Sequence, residues 1–277
     1  MADIKVHDMP AGSDPVDQAK SRSIRDQVKE DLNDLVFSYV TLRNLIGFSG
    51  ILLPIILVIF SKRAEHERVI QSSISAYYYT SVGDVFVIVI CILSAFLLTY
   101  KGYRTLEKIL LSVAALSGFG LTLFPTEWRE GMFVNSAHVP RNAVPKLFEI
   151  EIHWIFAALF FISLSLISIF FFTKTRHQEA LIKRGTGQLL TQKSWRNIVY
   201  ITMGCIMLVC MAIILIYSVV DPVQKFFGDF SLIFCMETIA VFAFGISWIT
   251  KGETLFPDKD KPHYITRGVR GLLEKDE

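Results

Sequence analysis

Apolar residues fall along this chain in six long runs, separated by polar connections that hold most of its charge. The runs cover about 44–61, 84–100, 108–125, 152–173, 198–218 and 231–250. Crossing a hydrocarbon core takes roughly 20 predominantly apolar helical residues, so each run predicts a transmembrane helix. Gly47, Gly50 and Pro54 interrupt the first run, which membrane helices tolerate because neighbours re-satisfy the freed backbone groups. Ser163, Ser165 and Ser168 lie within the fourth and are expected to bond back to carbonyls of their own helix. The fold class predicted is all-α, a polytopic bundle of six transmembrane helices over residues 44–250.

Ahead of the first run the pattern changes twice. Residues 1–22 are polar and punctuated by Pro and Gly, which predicts a mobile tail. From Ser23 to residue 43, Ile24, Val28, Leu32, Leu35, Val36 and Tyr39 recur at helical spacing among charges. This predicts an amphipathic helix on the cytoplasmic membrane surface. A plain helical extension of the first span fits the same spacing. Residues 251–277 form a second polar tail.

Composition agrees with a membrane protein: 52% of the 277 residues are hydrophobic and 19% charged, below the ~25% charged of soluble domains. The net charge of +2 gives no case for a nucleic-acid partner. Its distribution says more. The connections on the N-terminal side of the membrane carry 21 Lys and Arg, against 7 on the opposite side. By the positive-inside rule both termini are cytoplasmic. The first 40 residues have no apolar run, so no cleaved signal peptide is expected. Cys91, Cys205, Cys210 and Cys235 all lie in apolar runs without metal-ligand spacing and read as small hydrophobes.

Against this background the stretch QSSISAYYYTSVGDVF, residues 71–86, stands out. It places Ser75, Tyr77, Tyr78 and Asp84 at the outer end of the second span. Glu149, Glu151 and His153 stand at the outer start of the fourth, and Glu237 lies six residues past Ser231 in the sixth. At ~1.5 Å per residue Glu237 is roughly 9 Å deep. A carboxylate there costs a few kcal/mol and calls for a partner inside the bundle. Tyrosines also suit an interfacial aromatic belt, so the three together admit either reading. A belt does not account for Asp84, His153 and Glu237 at matching depth. These predict an outward-facing polar pocket lined by Ser75, Tyr77, Tyr78, Asp84, His153 and Glu237. Two acids so placed require a shared proton, a charged His153 or a metal. The outer loop after Pro125 carries Pro140, Pro145 and His138, and a loop of that length suits a lid.

The segments FSYVTLRNLIGFSGILLPIILVIF, SISAYYYTSVGDVFVIVICILSAFLLTYKGY, LFPT, HWIFAALFF and FAFGISWITKGE resemble bacterial six-span membrane proteins similar to the DUF998 and Frag1/DRAM/Sfk1-like families. The resemblance covers roughly residues 37–253 and implies a multi-pass protein of the bacterial inner membrane, without a reaction. The chain is more distantly similar to the alkaline ceramidase and progestin/adiponectin-receptor-like superfamily, which hydrolyses lipid amides with zinc held by a Ser, an Asp and three His. Ser75, Asp84 and His153 would stand for three of these. The chain departs from that pattern in lacking the second and third intramembrane His. A zinc site of another kind, from His153, Asp84, Glu237 and His138, is chemically permissible.

Three functions follow. The leading expectation is a non-enzymatic protein that binds a lipid headgroup or small amphiphile, as a sensor, lipid-handling factor or transport component, with membrane lipids as partners and no cofactor. The alternatives are a metal-dependent intramembrane lipid hydrolase and an oligomeric channel or membrane-disrupting effector. No span carries a full-length polar stripe and no inverted repeat relates the two halves, which disfavours a channel or inverted-repeat transporter; homo-oligomerisation stays open. Phosphate-binding loops, a nucleophile elbow and haem-attachment motifs are absent from the sequence.

Overall fold

A computed structural model describes residues 40–61, 70–100, 102, 104–128, 144–147, 150–174, 187–228 and 230–252. The expected amphipathic helix (save residues 40–43, which begin the first helix), the two tails (save residues 251 and 252) and His138 lie outside them. Helix α1 spans Val40–Ser61. A five-residue 3-10 helix, Ser75–Tyr79, precedes α2 (Gly83–Thr99), and α3 covers Thr105–Leu123. Helix α4 (Ile152–Leu166) continues into a π-helical segment, Ile167–Phe172. Helix α5 runs Gly187–Val219, the short α6 Asp221–Phe227 and α7 Leu232–Lys251. One departure from an all-helical fold is a two-residue antiparallel pair, Lys146–Leu147 (β1) with Ile150–Glu151 (β2), where Lys146 faces Glu151.

Five of these helices are long and apolar enough to cross a membrane, α5 from Ser194 onward and α4 together with its π segment. Helix α2, at 17 residues, is apolar but shorter. Their outward faces are apolar too: Ile88, Leu116, Ile162, Val209 and Ile239 are exposed on five different helices. Soluble monomers rarely show contiguous apolar patches above a few hundred Å². Helices that are apolar all round belong in lipid or in a large core.

Small residues let the helices approach. In lipid the hydrophobic effect does not drive helix association, and close packing replaces it. A Cβ at Gly245 of α7 would lie 2.6 Å from the Gly47 carbonyl of α1, and one at Gly50 would lie 2.9 Å from the Phe244 ring. Gly118 of α3 sits against Ser94 of α2, Gly120 against Phe156 of α4, and Gly204 of α5 against Ile169. Thus two of the residues that interrupt the first run, Gly47 and Gly50, are where α1 meets α7.

Several buried hydroxyls find partners inside the bundle, whereas that of Thr238 on α7 has none. Ser94, Ser165 and Thr250 bond back to the carbonyls of Ile90, Phe161 and Ile246, as helical hydroxyls in apolar surroundings do. Ser168 does otherwise. It lies in the π segment, and its Oγ donates to the Tyr200 carbonyl at 2.8 Å and meets Ser247 Oγ at 2.6 Å, tying α4, α5 and α7.

At the end where α1 begins, Arg43 Nε donates to Tyr100 Oη at 3.1 Å and Arg43 Nη1 to the Lys251 carbonyl at 3.3 Å. Lys251 Nζ donates to the Phe172 carbonyl and lies over the Phe172 ring. The start of α1 and the ends of α2, the π segment and α7 therefore meet at one face. The chain segments of the opposite face build the site below.

Cys91 and Cys235 are half-buried, Cys210 is buried and Cys205 exposed, and all four are free. Replacing all four with Ala or Ser should leave a monodisperse protein with unchanged metal content. Loss of a bound metal on this replacement, measured by elemental analysis, would contradict the packing role.

Candidate functional site

Residues 70–74 cross the mouth of the bundle and are held by the first turns of α7. A helix leaves its first N–H groups without intrahelical partners. Here the Phe234 N–H donates to the Ser72 carbonyl at 3.0 Å. One turn deeper, Glu237 Oε2 accepts the Ile74 N–H. The carboxyl that looked misplaced in an apolar helix therefore anchors a polar segment laid over it.

Beyond Ile74 the chain turns inward as the 3-10 helix. Tyr77 and Tyr79 are 1% and 0% exposed and Tyr78 is buried as well. The tyrosines are core rather than an interfacial belt. Tyr77 packs on Phe234, with ring centroids 6.0 Å apart, and Tyr78 on Tyr79 at 5.2 Å. The Tyr79 hydroxyl donates to the Thr126 carbonyl at 2.7 Å, so the cluster also pins the chain leaving α3.

The chain between α3 and α4 supplies the facing wall. Glu151, buried at the end of β2, accepts the Glu127 N–H at 3.0 Å and the Thr126 hydroxyl at 3.4 Å through one oxygen. Glu127 in turn pairs with Lys146 at 3.7 Å, a half-exposed pair worth at most ~1 kcal/mol. Two residues on, His153 enters α4, buried. Its Nδ1 lies 2.8 Å from the Phe124 carbonyl and its Nε2 2.9 Å from Ser75 Oγ. A carbonyl oxygen only accepts, so Nδ1 carries a proton. In the neutral ring Nε2 is then the acceptor, and the Ser75 hydroxyl donates to it.

These elements enclose a cavity of about 40 Å³, room for a few waters or one small polar group. Its polar lining is Ser72, Ser73, Ser75, Thr126, His153 and Glu237, and its apolar wall is Trp154, Ala157, Phe161, Met211, Ile214 and Ile233. Hydrogen-bonding groups and hydrocarbon thus face one another across the space.

The structure brings Ser75, His153 and Glu237 of the expected set together. Tyr77 and Tyr78 support the wall from behind without lining the cavity. Asp84 is exposed in the first turn of α2 and does not line it either. His153, Asp84 and Glu237 therefore do not assemble as the expected zinc set. Among the described residues no three His, Cys, Asp or Glu come together as a metal-ligating group.

Ser72, Ser73 and Thr126 were not among the expected site residues, nor was Glu151, which orients Thr126. Their signals were present in the QSSIS run, the LFPT stretch and the Glu149–Glu151–His153 alternation. No protein-family profile, no curated protein and no solved structure matches the chain.

Proposed function

We propose that the chain crosses the membrane six times with both termini cytoplasmic, and that its outer cavity binds the headgroup of a lipid or other small membrane amphiphile. Two observations support the six passes. Helix α2 is ~25 Å long at 1.5 Å per residue, the lower limit for a span. The contacts of Arg43 and Lys251 at one end, and of Ser75 with His153 at the other, suit strictly alternating passes. The orientation is favoured by charge: Arg43, Arg104, Lys108, Lys174, Arg196 and Lys251 stand at one end, where the other has Lys146 and Lys225 among the described residues.

The observation that carries the binding function is the two-sided lining of the cavity. Ligand sites are mostly apolar with a few convergent polar groups that fix orientation. Here Ser72, Ser73 and Ser75 come from the segment leading into the 3-10 helix, while Phe161, Met211 and Ile214 line the cavity from within α4 and α5. A headgroup bonded to Ser75, Ser73 or Glu237 would leave its chain against Phe161, Met211 and Ile214.

Native mass spectrometry of protein extracted in mild detergent tests this. The wild type should carry an amphiphile adduct. Ala157→Trp, which fills the cavity from α4, should lose it while still unfolding cooperatively. Equal adducts on both, or none on the wild type, would remove the proposal.

A further inference from the structure

We propose that Ser75 is a nucleophile activated by His153, making this cavity a metal-free hydrolytic site for a carboxylic ester carried by an amphiphile; this rests on the amphiphile-binding reading above. Three features carry it. First, the proton placement is set by the backbone. The Phe124 carbonyl takes the Nδ1 proton, which leaves the Nε2 lone pair of the neutral ring on Ser75 Oγ, 2.9 Å away. A nucleophile bonded to a base, and a base oriented by a third group, is the arrangement that activates a serine. Here a main-chain carbonyl does the orienting.

Second, the pair is held yet reachable. His153 is buried, and its bond to the Phe124 carbonyl fixes the ring. Ser75 is half-buried and lines the cavity. Glu237 bonds the Ile74 N–H immediately before it, which makes Glu237 a positioning residue for the nucleophile.

Third, the remaining lining matches an ester. Ser73 Oγ accepts the Ala76 N–H at 3.0 Å, so its own hydroxyl proton is left to donate to a carbonyl oxygen. The wall of Trp154, Phe161, Met211, Ile214 and Ile233 suits an acyl chain. In the reaction Ser75 Oγ bonds to the ester carbonyl carbon while its proton passes to His153 Nε2. The carbon–alkoxy oxygen bond then breaks, and the alcohol leaves with that proton. Water, deprotonated by the same nitrogen, attacks the acyl-serine. The carboxylic acid departs as the proton returns to Ser75 Oγ.

A tagged alkyl fluorophosphonate tests the nucleophile, since capture forms an Oγ–phosphorus bond and expels fluoride. With the full chain in detergent micelles, the wild type should take up one label, mapped to Ser75, and Ser75→Ala none. His153→Gln should slow capture about a hundredfold or more while the protein still unfolds cooperatively. An unlabelled wild type, or equal labelling of Ser75→Ala, overturns the proposal. If Ser75→Ala is unstable, the site of the wild-type adduct decides: Ser75 supports the nucleophile and any other residue refutes it. An unlabelled wild type that still carries a bound amphiphile sinks only the nucleophile, whereas absence of both sinks the binding function too.

Discussion

Gly245→Val should lower the stability of the protein by about 3 kcal/mol, near the upper end for inserting bulk into a packed interior. A Cβ at this position would meet the Gly47 carbonyl at 2.6 Å and Ile51 Cγ1 at 2.5 Å. The Ile51 side chain can rotate away, but the carbonyl belongs to a helix backbone and cannot. Separating α1 from α7 would also draw Gly50 off Phe244 and loosen the Arg43 bond to the Lys251 carbonyl. Thermal unfolding in detergent measures the loss. Leu116→Val, at a 62% exposed position on α3, is the control and should melt with the wild type. A Gly245→Val protein as stable as that control would mean that α1 does not pack on α7 as described.

Glu237 provides the second large effect, with a contrast built in. Glu237→Leu removes the acceptor of the Ile74 N–H. A buried donor left without a partner costs roughly 1–3 kcal/mol. Glu237→Gln keeps a carbonyl oxygen in place and should preserve the fold while weakening amphiphile binding. Hydrogen exchange separates the two variants: the Ile74 amide should exchange faster in the Leu variant and at the wild-type rate in the Gln variant. Wild-type protection of Ile74 in both would show that the carboxyl does not hold this segment.

The helices were legible because lipid imposes a length and a polarity on every span. All six apolar runs lie in helices, most with ends shifted by a few residues, while α5 begins eleven residues earlier, at Gly187. Glu237 was legible for the same reason, since a carboxyl at that depth must find a partner. Its partner was not, because a backbone N–H at Ile74 leaves no mark in a sequence. Depth also misled at Asp84. Equal depth places residues in one plane without saying which way each faces, and Asp84 turned out exposed, away from the cavity. The tyrosines show the converse. Their composition suits an aromatic belt, yet the inward turn of residues 75–79 makes them core. Ser168 was expected to bond its own helix, and the π segment instead gave it partners on α5 and α7.

Ser72 offers the most direct test of an outward-facing polar cavity. It is exposed, lines the cavity rim and belongs to the segment laid across the mouth of the bundle. In a background without the four native cysteines, Ser72→Cys should react with a membrane-impermeant maleimide on intact cells. In the purified protein an amphiphile retained in the cavity should slow that reaction, and the cavity-filling Ala157→Trp should remove the protection. Reaction only after the membrane is permeabilised would place the cavity on the cytoplasmic side and contradict the account.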